Sequence, residues 1–306
     1  MKHKYLIIII TILLIFVLLP KVGTSIQSDK IELLKQPNIE SHNEVKIFAI
    51  ETGYAVTLEG FTVAGGSLFK TKKVSHNAIL VLHPKGNLLI DTGIGNNVKE
   101  QFAAMPFFLK PLFDYTKLKS AQEILDANHI SIKNILLTHM HWDHASGLKD
   151  FKDVAIYSTK PELVFAKTID AKPPAYIHSQ YDGITNFNPV QFRDGAYEVF
   201  KESFDFYKDG TVVLVPLSGH SPGSIGVFVN LSATERYFFT GDITWTKAGF
   251  ETNAHKFIVS SLLVDYNRDL IGKEINRISD LLKLKPEIKV MPAHDNDVYE
   301  SIEKLK

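Results

Sequence analysis

The stretch that most constrains this 306-residue chain runs over residues 135–144. There the apolar Ile135-Leu136-Leu137 gives way to Thr138-His139-Met140-His141-Trp142-Asp143-His144. Three histidines and an aspartate fall within six positions, directly after a predicted short buried strand. An extended backbone points alternate side chains the same way, so His139 and His141 can share one metal ion. A turn after them can swing Asp143 and His144 towards a second ion. Imidazole and carboxylate donors suit zinc, and iron or manganese accept the same set. The chain contains no cysteine, which removes disulfides, thiolate zinc sites, a lipid-bearing cysteine anchor and a cysteine nucleophile together.

Three more donors follow, each just past an apolar strand-like run. His220 sits in Leu217-Ser218-Gly219-His220-Ser221-Pro222-Gly223, whose glycines let backbone approach closely. Asp242 ends Phe238-Phe239-Thr240-Gly241-Asp242, and His294 ends Val290-Met291-Pro292-Ala293-His294. Ligands at strand ends, on loops held by a rigid sheet, are how α/β folds build sites. Isolated histidines carry no such context. His3, His42, His76, His83, His129 and His255 are therefore read as structural or surface residues, and His178 as a non-ligand.

Around these motifs the chain alternates strands and helices. Strands are expected at 45–50, 78–82, 88–90, 135–137, 154–157, 204–207, 212–215, 225–229, 237–239 and 288–291. Pro84-Lys85-Gly86-Asn87 and Lys208-Asp209-Gly210 read as hairpin turns. Ser120 with Glu123 predicts a capping-box helix through Asn128, and residues 161–167 a helix with proline in its first turn. Leu270, Ile271, Ile275, Ile278, Leu281 and Leu282 keep helical spacing in a long helix over about 265–284.

The N-terminus has its own character. Lys2, His3 and Lys4 precede a run over residues 5–19 that is apolar except for Thr11. A basic head with a greasy stretch of this length reads as a secretory signal, within 1–25, or as an uncleaved membrane anchor. Residues 26–43 read as a linker and 44–306 as one domain, placed outside the cytoplasm. Lys+Arg and Asp+Glu are both 34, so nothing suggests a nucleic-acid partner. Oligomeric state is left open.

His139-x-His141-x-Asp143-His144, Gly219-His220-Ser221-Pro222-Gly223, Gly241-Asp242 and Ala293-His294 together resemble the metallo-β-lactamase superfamily. Asp91-Thr92-Gly93 matches as well, and Asp91 is expected to brace a ligand histidine from behind. The resemblance spans about 45–306. It implies an αββα sandwich, two mixed sheets face to face with helices outside. It also implies two zinc ions: His139, His141 and His220 on one, Asp143, His144 and His294 on the other, with Asp242 bridging. Such ions sit about 3.5–4 Å apart and share a hydroxide that attacks a polarised carbonyl.

Details within the motifs are most similar to those of N-acyl homoserine lactonases. These usually place a tyrosine three residues after the bridging aspartate, where it orients the substrate carbonyl. This chain has Trp245, which can donate a hydrogen bond but not accept one. The resemblance thus implies a metal-dependent hydrolase that opens a lactone or related ester, with Asp143 and Trp245 as catalytic residues. Thioester hydrolysis of the glyoxalase II type, β-lactam hydrolysis and a mononuclear iron persulfide dioxygenase are the alternatives. The partner would be a small molecule with an acyl or apolar part. The greasy segment 102–115 reads as an acyl-pocket wall, as a membrane contact near the anchor, or as helices packed on the core. Residues 175–178 are a weaker pocket element.

Overall fold

The computed structural model describes residues 32–168, 170–171 and 174–306. The expected signal or anchor lies outside them, as does the first part of the 26–43 linker. Among the described residues no helix is long and apolar enough to cross a membrane.

Two long antiparallel strands, β1 (Lys46–Leu58) and β2 (Thr71–Leu82), start the domain. They are joined by β3 (Leu88–Ile90), β4 (Thr116–Lys117), β5 (Asn134–Leu136), β6 (Ala155–Thr159) and β7 (Phe187–Val190). The resulting sheet has the order β4-β1-β2-β3-β5-β6-β7, parallel from β3 to β7 and antiparallel elsewhere. A second sheet contains β8 (Phe204–Asp205), β9 (Val212–Pro216), β10 (Ile225–Asn230), β11 (Arg236–Phe239) and β12 (Ile288–Met291). Its order is β12-β11-β10-β9-β8, with β11 and β12 parallel.

The apolar runs are continuous because both faces of each sheet are covered. On β2, Ile79 and Val81 point between the sheets, where the shared layer includes Ile90, Leu214, Val227 and Phe239. Ala78 and Leu80 point outwards, in the cluster containing Ile124 and Leu125 of the helix Ala121–Ala127. Across the second sheet, Val215, Phe228 and Val290 are covered by Ile271, Ile275, Ile278 and Leu281 of the helix Arg268–Leu284. These layers make the expected αββα sandwich.

Both hairpin turns and the Ser120/Glu123 capping box are present. Several elements differ from the expectation, and β4 and β7 have no expected counterpart. β1 continues to Leu58 and β2 begins at Thr71, because a bulge at Thr52 lets the ribbon bend and go on pairing. The long helix starts at Arg268, since the Asn267 side chain accepts from Leu270 N at 3.0 Å and caps it there. The strand expected over 204–207 shortens to Phe204–Asp205.

Candidate metal centre

The parallel strands β3 and β5 end side by side, and one carboxylate ties their ends together. Asp91, just past β3, accepts from Thr138 N at 2.7 Å and from Thr138 Oγ1 at 2.8 Å. It does so from a left-handed backbone, φ 56°. His139 and His141 leave the end of β5 in extended chain, and His141 then caps a single helical turn, Trp142–Ala145. That turn carries Asp143 and His144 to the other side of the cluster. A second buried acid, Glu162, joins this segment to the His220 loop. It accepts from Met140 N at 2.8 Å, Tyr176 Oη at 3.0 Å and Gly223 N at 3.1 Å, and from Ser221 Oγ. Gly219 takes φ 143°, and a Cβ there would meet Ile271 N at 2.9 Å. Only glycine lets the His220 loop lie this close to the long helix.

All seven residues expected as ligands are buried and meet at one end of the sandwich. The donor atoms of His139, His141 and His220 lie within 4.8 Å of one another. So do those of His139, His144 and Asp242, and those of His76, Asp143 and His294. Asp242 stands between the groups. Its Oδ1 is 3.3 Å from His144 Nε2, and its Oδ2 is 3.0 Å from His294 Nε2 and 3.5 Å from His220 Nε2. Zinc–nitrogen bonds of about 2.0–2.1 Å in a tetrahedron put neighbouring donors about 3.3 Å apart. The spacings here fit that edge, including 3.1 Å between His139 Nε2 and His220 Nε2.

The outer ring nitrogens are held, while several inner ones have no partner. His144 Nδ1 bonds Asp91 Oδ2 at 2.7 Å, His220 Nδ1 bonds Asp265 Oδ1 at 2.6 Å, and His294 Nδ1 bonds the Ser75 carbonyl at 2.9 Å. His141 Nε2, His144 Nε2 and Asp242 Oδ1 are buried without a hydrogen bond. Braced rings with unpartnered inner nitrogens are the arrangement of metal ligands, so the donors fit a metal. Electrostatics agrees. Burial, then the neighbouring imidazoles, push His139 and His141 well down, leaving both neutral. Burial resists charge on Asp143 and Asp242, yet the imidazoles around them outweigh it and hold both carboxyls low. Burial also opposes charge on His144 and His294, but the carboxylates facing them raise both.

Trp245 donates its indole N–H to Asp242 Oδ2 at 3.0 Å. Its one donor is thus engaged with the carboxylate between the groups. Asp265 is a residue that sequence reasoning missed. Its side chain, buried against Lys256 Nζ at 2.8 Å, orients His220. Only the fold brings 265 to 220, so no local pattern marks it. His76, set aside as a lone histidine, also lies in the cluster, with Nδ1 3.0 Å from Asp143 Oδ2. His42, His83, His129, His178 and His255 belong to none of the donor groups.

Above these donors opens a cleft of about 400 Å³ whose exposed lining is mostly apolar. Phe61, Phe113, Trp142, Phe257 and Leu263 form its walls, and His141, Asp143, His220 and His294 lie at its base. Pro111, Leu112 and Phe113 bring part of the greasy 102–115 segment to the cleft. Phe107 and Phe108 of the same segment are exposed.

A sandwich that collects histidines and aspartates from strand ends at an apolar cleft defines a candidate metal centre, and the family and relatives it matches are metal-dependent hydrolases. Residues 71–294 match the metallo-beta-lactamase superfamily, and the chain belongs to it. It is 24% identical over 233 residues to the N-acyl homoserine lactonase AttM of Agrobacterium fabrum, covering 74% of this chain and 83% of that protein. It is 26% identical over 242 residues to a probable metallo-hydrolase of Mycobacterium tuberculosis, covering 73% and 76%. Among solved structures, a mutant of AiiA of B. thuringiensis with N-decanoyl-L-homoserine at its active site superposes with a TM-score of 0.66 at 18% identity. That alignment covers 88% of this chain and 98% of AiiA. An N-acyl homoserine lactone hydrolase with N-hexanoyl-L-homoserine at its catalytic metal centre gives 0.65 at 17% identity, covering 86% and 98%.

Proposed function

We propose that the protein is a dinuclear zinc hydrolase that opens acyl-substituted lactones, N-acyl homoserine lactones foremost. The observation that carries this reading is Asp242. Its Oδ2 lies 3.5 Å from His220 Nε2, of the first set, and 3.0 Å from His294 Nε2, of the second, while its Oδ1 lies 3.3 Å from His144 Nε2, so one carboxylate reaches donors of both sets. His139, His141 and His220 would hold the first ion, and Asp143, His144 and His294 the second. Bound zinc supplies a Lewis acid and brings the pKa of water down towards about 7.

The chain's own residues then bind and orient. The walls around Phe113, Phe257 and Leu263 take an acyl chain and exclude water from the base of the cleft. Trp245, through its N–H, fixes the plane of the Asp242 carboxylate. Asp143, at the cleft base, is placed to take a proton from the attacking water and return it to the oxygen that leaves the ring. The lactonase relatives, and the solved structures holding N-acyl homoserines, support this substrate class. The basic head and apolar run at residues 2–19 support action outside the cytoplasm. The test is a panel on zinc-loaded protein: N-hexanoyl and N-decanoyl homoserine lactones, a thioester and a β-lactam. Ring opening of the lactones should exceed turnover of the other two. No opening of any lactone would refute the substrate assignment.

A further inference from the structure

His76 stands out because it is buried, faces the cleft and has no settled partner. It lies in the middle of β2, 6% exposed, with its ring against Trp142 and edge-on to His294 at centroid distances of 5.6 and 5.3 Å. Neither ring nitrogen makes a hydrogen bond. Nδ1 is 3.0 Å from Asp143 Oδ2, yet the pair lacks hydrogen-bond alignment. The same oxygen is 3.4 Å from His294 Nε2. These spacings match those of the expected ligands, where donors converge on a common point. They differ from the aligned bonds of 2.7 Å and 2.6 Å that brace His144 and His220 from behind.

The backbone of His76 is fixed with unusual care. Opposite it, β1 bulges: Glu51 pairs with Asn77 and Gly53 with His76, leaving Thr52 as the extra residue. Thr52 Oγ1 donates to the His76 carbonyl at 2.7 Å and accepts from Ile94 N at 2.7 Å. Bulges beside sites serve to re-aim a side chain. The neighbouring Ser75 carbonyl holds His294, so two successive residues of β2 serve the same corner of the cluster.

We propose that His76 is a direct ligand of the second metal ion, converging on it with Asp143 and His294. This rests on the two-metal reading above, to which it adds an imidazole from the sheet interior. The other expected ligands come from strand ends, loops and the helical turn Trp142–Ala145.

Zinc itself is the probe. Full-length protein is stripped of metal and titrated with zinc against a chromophoric chelator, as wild type, His76→Ala and His76→Gln. The wild type should take up two ions. His76→Ala should keep the first at wild-type affinity and bind the second at least about tenfold more weakly. Two ions held at wild-type affinities by the variants would overturn the inference and leave the two-metal reading standing. A wild-type chain that takes up fewer than two ions would overturn both. Because a buried substitution can loosen β2, the His76 ring ¹⁵N resonances of the wild type are followed in the same titration. They should shift as the second equivalent binds; unmoved resonances would overturn the inference.

Discussion

At the base of the cleft, the donor residues leave paired strands, short loops and one helical turn, and the outer nitrogens of His144, His220 and His294 are held by Asp91, Asp265 and the Ser75 carbonyl. The walls are made differently. Phe113 follows a short 3-10 turn, Lys110–Leu112, and Leu263 lies on the seven-residue helix Ile258–Val264. These segments leave large apolar side chains exposed, among them Phe107, Phe108, Leu112 and Leu262. The difference follows from what each part must bury. Every buried nitrogen or oxygen without a partner costs about 1–3 kcal/mol. The base therefore needs a rigid frame to hold unpartnered donors ready for metal. The walls bury mostly hydrocarbon, whose contacts are non-directional and can be exchanged without disturbing the frame. The base should therefore set the chemistry and the walls the choice of substrate.

Three substitutions put that division to the test. The largest effect is expected at the base. Asp242→Ala removes the carboxylate shared by both groups and should lower lactone kcat/KM by about a thousandfold or more, with loss of bound zinc by elemental analysis. Retained activity would mean that Asp242 does not join the two sites. One layer behind, Asp265→Asn keeps the shape but loses the charge that orients His220. Zinc affinity should fall about 10- to 100-fold, measured by chelator competition. The smallest effect belongs to the walls. Phe113→Ala should raise KM for N-decanoyl homoserine lactone by about tenfold, raise it less for the N-hexanoyl substrate, and leave zinc content unchanged. Loss of zinc in this variant would break the division between base and walls.

The same contrast explains what could be read from the sequence. His139, His141, Asp143, His144, His220, Asp242 and His294 are legible because each follows an apolar strand directly, so local pattern and site coincide. Asp91 is legible for the same reason. His76 is hidden by its surroundings. It sits in Lys72-Lys73-Val74-Ser75-His76-Asn77, a polar stretch that becomes strand only because the bulge at Thr52 carries β1 along with it. One faint signal was available: His76 shares its strand face with Val74, Ala78 and Leu80 in a period of two. Asp265 falls at the expected start of the long helix, which begins at Arg268 instead. Asn267 caps that helix two residues later, which frees Asp265 to turn towards His220 and Lys256. The walls were legible only as a greasy segment, because tertiary packing decides which of its aromatics face the cleft.

The central claim is that two ions share Asp242 at the base of the cleft. It is tested most directly by anomalous diffraction at the zinc edge from metal-loaded crystals. The account predicts two peaks about 3.5–4 Å apart, one among His139, His141 and His220, the other beside Asp143 and His294, with Asp242 between them. A single peak, or none within the cluster, would contradict it.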